Sequence, residues 1–315
     1  MLSQWHLHSD GQARRIATPA RAWQRKGVEG KGMSRVIAFR AEGDAARGAP
    51  GFDPTVAHPA RVYDYWLGGK DNFEADRVAG EQAIDAYPAI CGSARANRAF
   101  LARAVSYLAG QQGIGQYLDI GAGLPSAPNT HEVAQSITPQ ARVVYVDNDP
   151  MVVSHARALL TGGPHRITAH VEADLRDTGT ILDRAAAVLD FTKPVAVMLL
   201  AVLEYLPGLD EIRQILDGLV AAMPAESFLV ISHAASDISP GRMAEMTSRL
   251  NGQLAGASYT GRARDVVAGF FDGLDLVSPG VVKVTQWHPR SQFESERAAS
   301  QWGGVALKQE DLPRR

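Results

Sequence analysis

A single cysteine, Cys91, in a chain of 315 residues excludes an internal disulfide framework and a cysteine-built zinc site, and it suits a reducing compartment. Long apolar runs are also missing. The most hydrophobic stretch, Val195 to Leu203, is strand-sized, well short of the roughly 20 residues of a membrane helix. Neither charge is in excess: 32 basic against 34 acidic side chains leave a formal charge of -2, so no overall field draws the chain to nucleic acid or anionic lipid. Arg14 and Arg15 form a twin-arginine pair, but the IATPARAW that follows is too interrupted by proline and arginine to act as an export signal. The expectation is a cytoplasmic protein with no nucleic-acid or membrane partner.

The chain has enough apolar residues, 45% of the total, for one sizeable core. Residues 1–54 are basic, with scattered glycines and little periodicity, and read as a disordered tail, either a binding arm or a dispensable extension. From His58 the run HPARVYDYWLGGKDNFEADR mixes aromatics, charges and paired glycines so closely that neither a helical nor a strand period survives. This predicts an ordered, irregular lid within an N-terminal segment, 55–112. Ala96 to Leu108 reads as a core-docked helix, with Phe100, Leu101, Ala104, Val105 and Leu108 on one face and Arg98 and Arg103 elsewhere.

After Gly113 short apolar runs alternate with helical stretches, the pattern of a doubly wound, mostly parallel α/β sheet. The predicted strands are Gln116 to Ile120, Arg142 to Val146, Arg166 to Val171, Val195 to Leu200 and Phe228 to Ser232. Helices are predicted at Thr130 to Ile137, Pro150 to Leu160, Thr180 to Leu189 and Leu209 to Ala222, and Leu274 to Val284 with Gly304 to Leu307 offer two closing strands. Residues 113–315 form the expected Rossmann-like domain.

In such a sheet ligands sit beyond the carboxyl ends of the strands, closest to the loop after the first. That loop is DIGAGLP, where Gly121 and Gly123 keep the backbone accessible. A dinucleotide fingerprint would need glycine at Ser126, and Pro125 is awkward inside it. Asp119 ends an apolar strand, a costly place for a carboxylate without a ligand ammonium or backbone amides to pair with. Asp147, ending VVYVD, is placed to accept from both ribose hydroxyls of an adenosine, with Asn148 beside the adenine; Asp149 fits a helix cap before Pro150. After the third strand, Asp174 could meet an adenine amino group with Leu175 against the ring, or be ordinary loop chemistry.

Together these strand ends make the chain resemble the class I S-adenosylmethionine-dependent methyltransferases. It is more closely similar to the actinobacterial S-adenosyl methyltransferase family once known only as a domain of unknown function. The matching segments include HPARVYDYWLGGKDNF, ANRAFLARAV, LDIGAGLP, ARVVYVDNDP, PVAVMLLAVLEYLP and WGGVALK, from about His58 almost to the C-terminus. The resemblance implies a class I methyltransferase fold, a seven-stranded sheet with its last strand antiparallel. It implies S-adenosylmethionine as cofactor, held by Asp119, Gly121, Gly123, Asp147, Asn148, Asp174 and Leu175, with Ala201 and Val202 as the floor near its methionine part. Where the family commonly has histidine after the fourth strand, this chain has Glu204, which weakens the case for an essential base at that position.

Methyl transfer from a sulfonium needs no metal and asks mainly for alignment and exclusion of water. His131, Glu204 and His233 are candidate bases near strand ends, each with an equally ready structural reading. Tyr63, Tyr65, Gly68, Gly69 and Asn72 are candidate lid residues toward a small-molecule acceptor, or a structural strap. Two other readings stand beside a methyltransferase: a cofactor-sensing module without catalysis, and a nicotinamide-dependent oxidoreductase.

Overall fold

The computed structural model describes residues 36–39, 53–152, 154, 167–254 and 256–310. Its strands are β1 (Val36–Phe39), β2 (Gln116–Ile120), β3 (Arg142–Asp147), β4 (Ile167–Glu172), β5 (Ala196–Leu200), β6 (Phe228–Ala234), β7 (Asp275–Leu276), β8 (Val282–Lys283) and β9 (Gln301–Leu307). The helices are α1 (Pro59–Leu67), α2 (Glu74–Ala86), α3 (Ile90–Gly110), α4 (Thr130–Ile137), α5 (Thr178–Ala185), α6 (Leu209–Ala222), α7 (Pro240–Asn251), α8 (Arg264–Ala268) and α9 (Gln292–Ser295).

One sheet runs in the order β1-β4-β3-β2-β5-β6-β9-β7, with β8 also on β9. Strands β1 to β6 pair in parallel, and β9 lies antiparallel to β6. The expected seven strands are nine among the described residues. Two of them arise because the Ser278-Pro279-Gly280 turn splits the run from Leu274 to Val284 into short β7 and β8, both antiparallel to β9. Another is β1, which falls inside the stretch expected to lack structure; the rest of residues 1–52 lies outside the described residues, as does most of the helix expected at 150–160.

The parallel strands are buried on both faces, so their side chains alternate between two cores. On one side Leu118, Ile120, Val197 and Leu199 pack with Ile181 of α5 and Ile212, Ile215 and Leu219 of α6. On the other, Tyr117, Val143 and Met198 meet Phe100, Leu101, Val105 and Leu108 of α3, the helical face read from the sequence. Arg103, placed off that face, is nonetheless only 5% exposed. It donates to the carbonyls of Trp287 (2.8 Å) and Val284 and pairs with Glu294, because the C-terminal segment covers that side of the helix.

The segment read as irregular, from His58, is helical at α1 and α2. Its apolar period is hidden because Arg61, Asp64 and Asp76 face inward with Val62 and Trp66. Pro59 opens α1 and Gly68, at φ 83°, closes it in the left-handed conformation. A third core joins α1 and α2 to α7 through Trp66, Ala79, Ala83, Met243 and Met246. The hub is Asp76, fully buried, which accepts from the amides of His58 (2.9 Å) and Phe73 (2.8 Å) and pairs with Arg61 Nε at 3.3 Å.

Removing one partner of a buried ion pair strands the other charge, at about 3–5 kcal/mol. Asp76→Ala is therefore expected to lower unfolding stability by about that amount, read as a shift of the urea midpoint. A shift no larger than that of a surface aspartate would contradict the hub.

Candidate active site

The chain runs from β2 outward through β3 and β4, then returns to place β5 on the other side of β2. That reversal leaves a crevice beyond the strand carboxyl ends. A cavity of about 330 Å³ occupies it, and all of Asp119, Gly121, Gly123, Asp147, Asn148, Asp174, Leu175, Ala201 and Val202 line it.

The loop after β2 is shaped by its glycines. Gly121, at φ 74°, donates to the Val146 carbonyl at 2.8 Å, and a Cβ there would fall 2.3 Å from Val202 Cγ2. Gly123 has open space around it, so its need for glycine is conformational, φ 65°. Its amide donates to Asp147 Oδ2 at 2.8 Å, while Asp147 Oδ1 accepts from the Asp149 amide at 3.0 Å. Burial pushes the Asp147 carboxyl above its usual range; the Asp149 and Gly123 amides and His58 pull it back, and Asp149 opposes them. Asp149 accepts from the Met151 amide at 2.8 Å, the cap that the sequence suggests, and lies 3.1 Å from His58 Nδ1.

Asp119 is 5% exposed, and its Oδ2 accepts from Thr130 Oγ1 at 2.6 Å. Burial raises its pKa, Thr130 and Arg98 counter that, and Asp147 adds to it. Asp174 is more open and is engaged by Arg176, whose amide donates to it at 2.9 Å. Ala201, just past β5, holds a strained φ of 54° because its amide is fixed by both the carbonyl and the Oγ of Ser232, each at 3.1 Å.

None of the three candidate bases lines this cavity. His131, on α4, sets its amide and Nδ1 both 2.8 Å from the Tyr145 hydroxyl. His233 is fully buried and held down to about pKa 3 by burial, with Nδ1 against the Ala234 carbonyl and Nε2 2.8 Å from an Arg262 guanidinium nitrogen. Glu204, 1% exposed, is pushed up to about 8 by burial.

Of the lid candidates only Tyr63 reaches the cavity. Tyr65 bonds Glu81. Gly68, Gly69 and Asn72 instead wrap the end of α1: Asn72 donates to Asp64 Oδ2 at 2.9 Å, and a Cβ on Gly69 would lie 1.9 Å from Asp64 Oδ1. The sequence reading missed His58, Asn97, Arg98, Tyr205, Leu206 and Ala257, which also line the cavity. Their signal was absent because they come from α1, α3 and the loops after β5 and α7 rather than from glycine-rich or acidic strand ends. Tyr63, Asn97 and Ser232 are joined in series, Asn97 Nδ2 to the Tyr63 hydroxyl at 3.0 Å and Ser232 Oγ to Asn97 Oδ1 at 2.6 Å.

Residues 45–309 match the model of a family described as S-adenosyl methyltransferase. A DUF574 family protein from Streptomyces avermitilis is similar in structure, with 38% identity and a TM-score of 0.78, over 81% of this chain and 99% of that one. A candidate methyltransferase from Thermobifida fusca, also 38% identical, has a TM-score of 0.76 over 84% of this chain and 99% of its own. No curated protein matches the chain. The glycine loop, the acidic strand ends and the family match lead to one conclusion: the chain belongs to the S-adenosyl methyltransferase family and is an S-adenosylmethionine-dependent methyltransferase.

Proposed function

We propose that the crevice over β2 and β5 holds S-adenosylmethionine with its adenosine toward β3 and β4, and that the methyl acceptor is a small molecule entering beside α1. The convergence of nine strand-end residues on one cavity carries this reading. The residues fit the cofactor. The cavity is within the roughly 300–1,000 Å³ of ligand sites, and Gly123 leaves open space beside the loop that lines it. Asp147 uses two of about four lone-pair directions on protein amides, leaving acceptors for the ribose hydroxyls. Leu175 gives the adenine an apolar wall, and Asn148 and Asp174 its polar edge.

When bound, S-adenosylmethionine supplies an electrophilic methyl group on a sulfonium. The protein's part is then to align and to exclude water. Tyr63, Tyr205, Leu206 and Ala257 wall the β5 end of the cavity, an apolar surface with polar tips suited to a small acceptor. The Tyr63 hydroxyl, raised to about 12 by burial, stays protonated and fixed by Asn97. Glu204 is neutral at neutral pH and His233 is occupied on both nitrogens, so neither is assigned proton abstraction. No helix among the described residues is long and apolar enough to cross a membrane. With the single cysteine, this supports the cytoplasm as the working compartment.

Asp147→Ala is expected to weaken binding of S-adenosylhomocysteine by about tenfold or more, since hydrogen bonds to a charged group are worth about 1.5–3 kcal/mol. Titration calorimetry on the folded variant reads this, and an unchanged affinity would refute the placement.

A second expectation concerns Glu204. Its pKa is raised on folding, so the unfolded chain releases this proton first and stability falls as pH rises, from the unfolded value of 4.5 to the folded value of about 8. Glu204→Gln is expected to match the wild type below the unfolded value of 4.5 and exceed it above the folded value of about 8. Parallel melting curves at all pH values would contradict the buried, neutral carboxyl.

A further inference from the structure

Four residues other than glycine hold a positive φ among the described residues, Ala201, Glu226, Ser239 and His288, and of these only Ala201 lines the cavity. Such a conformation persists only where its surroundings over-determine it. At Ala201 those surroundings lead back to the α1 wall. Besides bonding the Ser232 carbonyl, its amide donates to Ser232 Oγ at 3.1 Å, and the fully buried Ser232 hydroxyl donates to Asn97 Oδ1 at 2.6 Å. Asn97 Nδ2 donates to the Tyr63 hydroxyl at 3.0 Å, and that hydroxyl donates to the Ala94 carbonyl at 3.1 Å.

The polarity of this series is set from its Tyr63 end. A tyrosine hydroxyl has one proton, and the Ala94 carbonyl takes it, so Tyr63 offers Asn97 only a lone pair. The Asn97 amide is thereby oriented with its nitrogen toward Tyr63 and its oxygen toward Ser232. That oxygen takes the one proton of Ser232, whose Oγ is left to accept the Ala201 amide. The members come from separate elements: Tyr63 from α1, Asn97 from α3, Ser232 from β6, and Ala201 from the turn after β5. Tyr63, Asn97 and Ala201 all line the cavity.

We infer that Asn97 is a positioning residue that ties the α1 wall of the cavity to the strained backbone at Ala201, so that a change at the Tyr63 hydroxyl is felt at the cofactor's floor. The inference rests on the placement proposed above, with the cofactor over Ala201 and the acceptor beside Tyr63. Methyl transfer depends on aligning two separately bound molecules. A buried hydrogen-bond series that reaches both seats holds them in one relation, and removal of any link leaves a polar group of the next unsatisfied.

The test is calorimetric titration with S-adenosylhomocysteine in two backgrounds, the native chain and Ala201→Gly, because glycine takes a positive φ without support from its neighbours. Asn97→Ala is expected to weaken binding about threefold to tenfold in the native background, the range of one ordinary hydrogen bond. Tyr63→Phe, a milder change that keeps the ring and removes only the hydroxyl, is expected to do the same and carries the test if Asn97→Ala does not fold. In the Ala201→Gly background both losses are expected to shrink to less than about twofold, since the floor no longer depends on the series. Losses that persist undiminished there would overturn the inference, showing that Asn97 and Tyr63 touch the ligand directly or merely support the fold. Unchanged affinity of Tyr63→Phe in the native background would overturn it as well. Failure of the native chain to bind S-adenosylhomocysteine at all would instead refute the placement on which the inference rests.

Discussion

The site depends on one carboxylate that belongs to one strand and serves another. Asp147, the last residue of β3, accepts the Gly123 amide from the loop after β2 and the Asp149 amide from the turn that follows it. Two chain reversals are thereby held to a single side chain. The glycine loop needs this, because its left-handed residues, Gly121 and Gly123, have no side chains of their own to pack. A half-buried acceptor with two amides directed at it keeps the loop open over the crevice, and the acid retains lone pairs to offer.

The same economy of charge runs through the N-terminal half. Asp76 gathers His58, Phe73 and Arg61, and Asp64 gathers Asp71 and Asn72. Both use acids to satisfy backbone and side-chain donors where three helices meet away from the sheet. These bonds fix α1, and α1 presents His58 and Tyr63 to the cavity. Electrostatics inside the fold thus sets the geometry of the site from both of its sides.

The sheet was legible because buried parallel strands are short apolar runs, and β2, α4 and α6 begin and end where the pattern says. The strand-end acids were legible for a related reason: a carboxylate closing an apolar run is conspicuous. The helices α1 and α2 were not, because Arg61, Asp64 and Asp76 occupy inward positions and erase the apolar stripe that announces a helix. The partners of Arg98 and Arg103, which do lie off the apolar face, were not legible for the converse reason. An amphipathic pattern marks the apolar face of α3 but cannot tell a face open to water from one covered by later chain, here the 284–294 segment and the loop at 126–128. Contacts between residues as far apart as Arg103 and Trp287 have no local signature.

The account stands on the cavity over β2 and β5 being the cofactor's seat, oriented by Asp147. A crystal structure of the protein with S-adenosylhomocysteine tests this directly. The prediction is both ribose hydroxyls at about 2.5–3 Å, charge-assisted hydrogen-bond distance, from the Asp147 carboxylate. A ligand seated elsewhere, or in the cavity with its adenosine turned toward β5 and Tyr205, would contradict it.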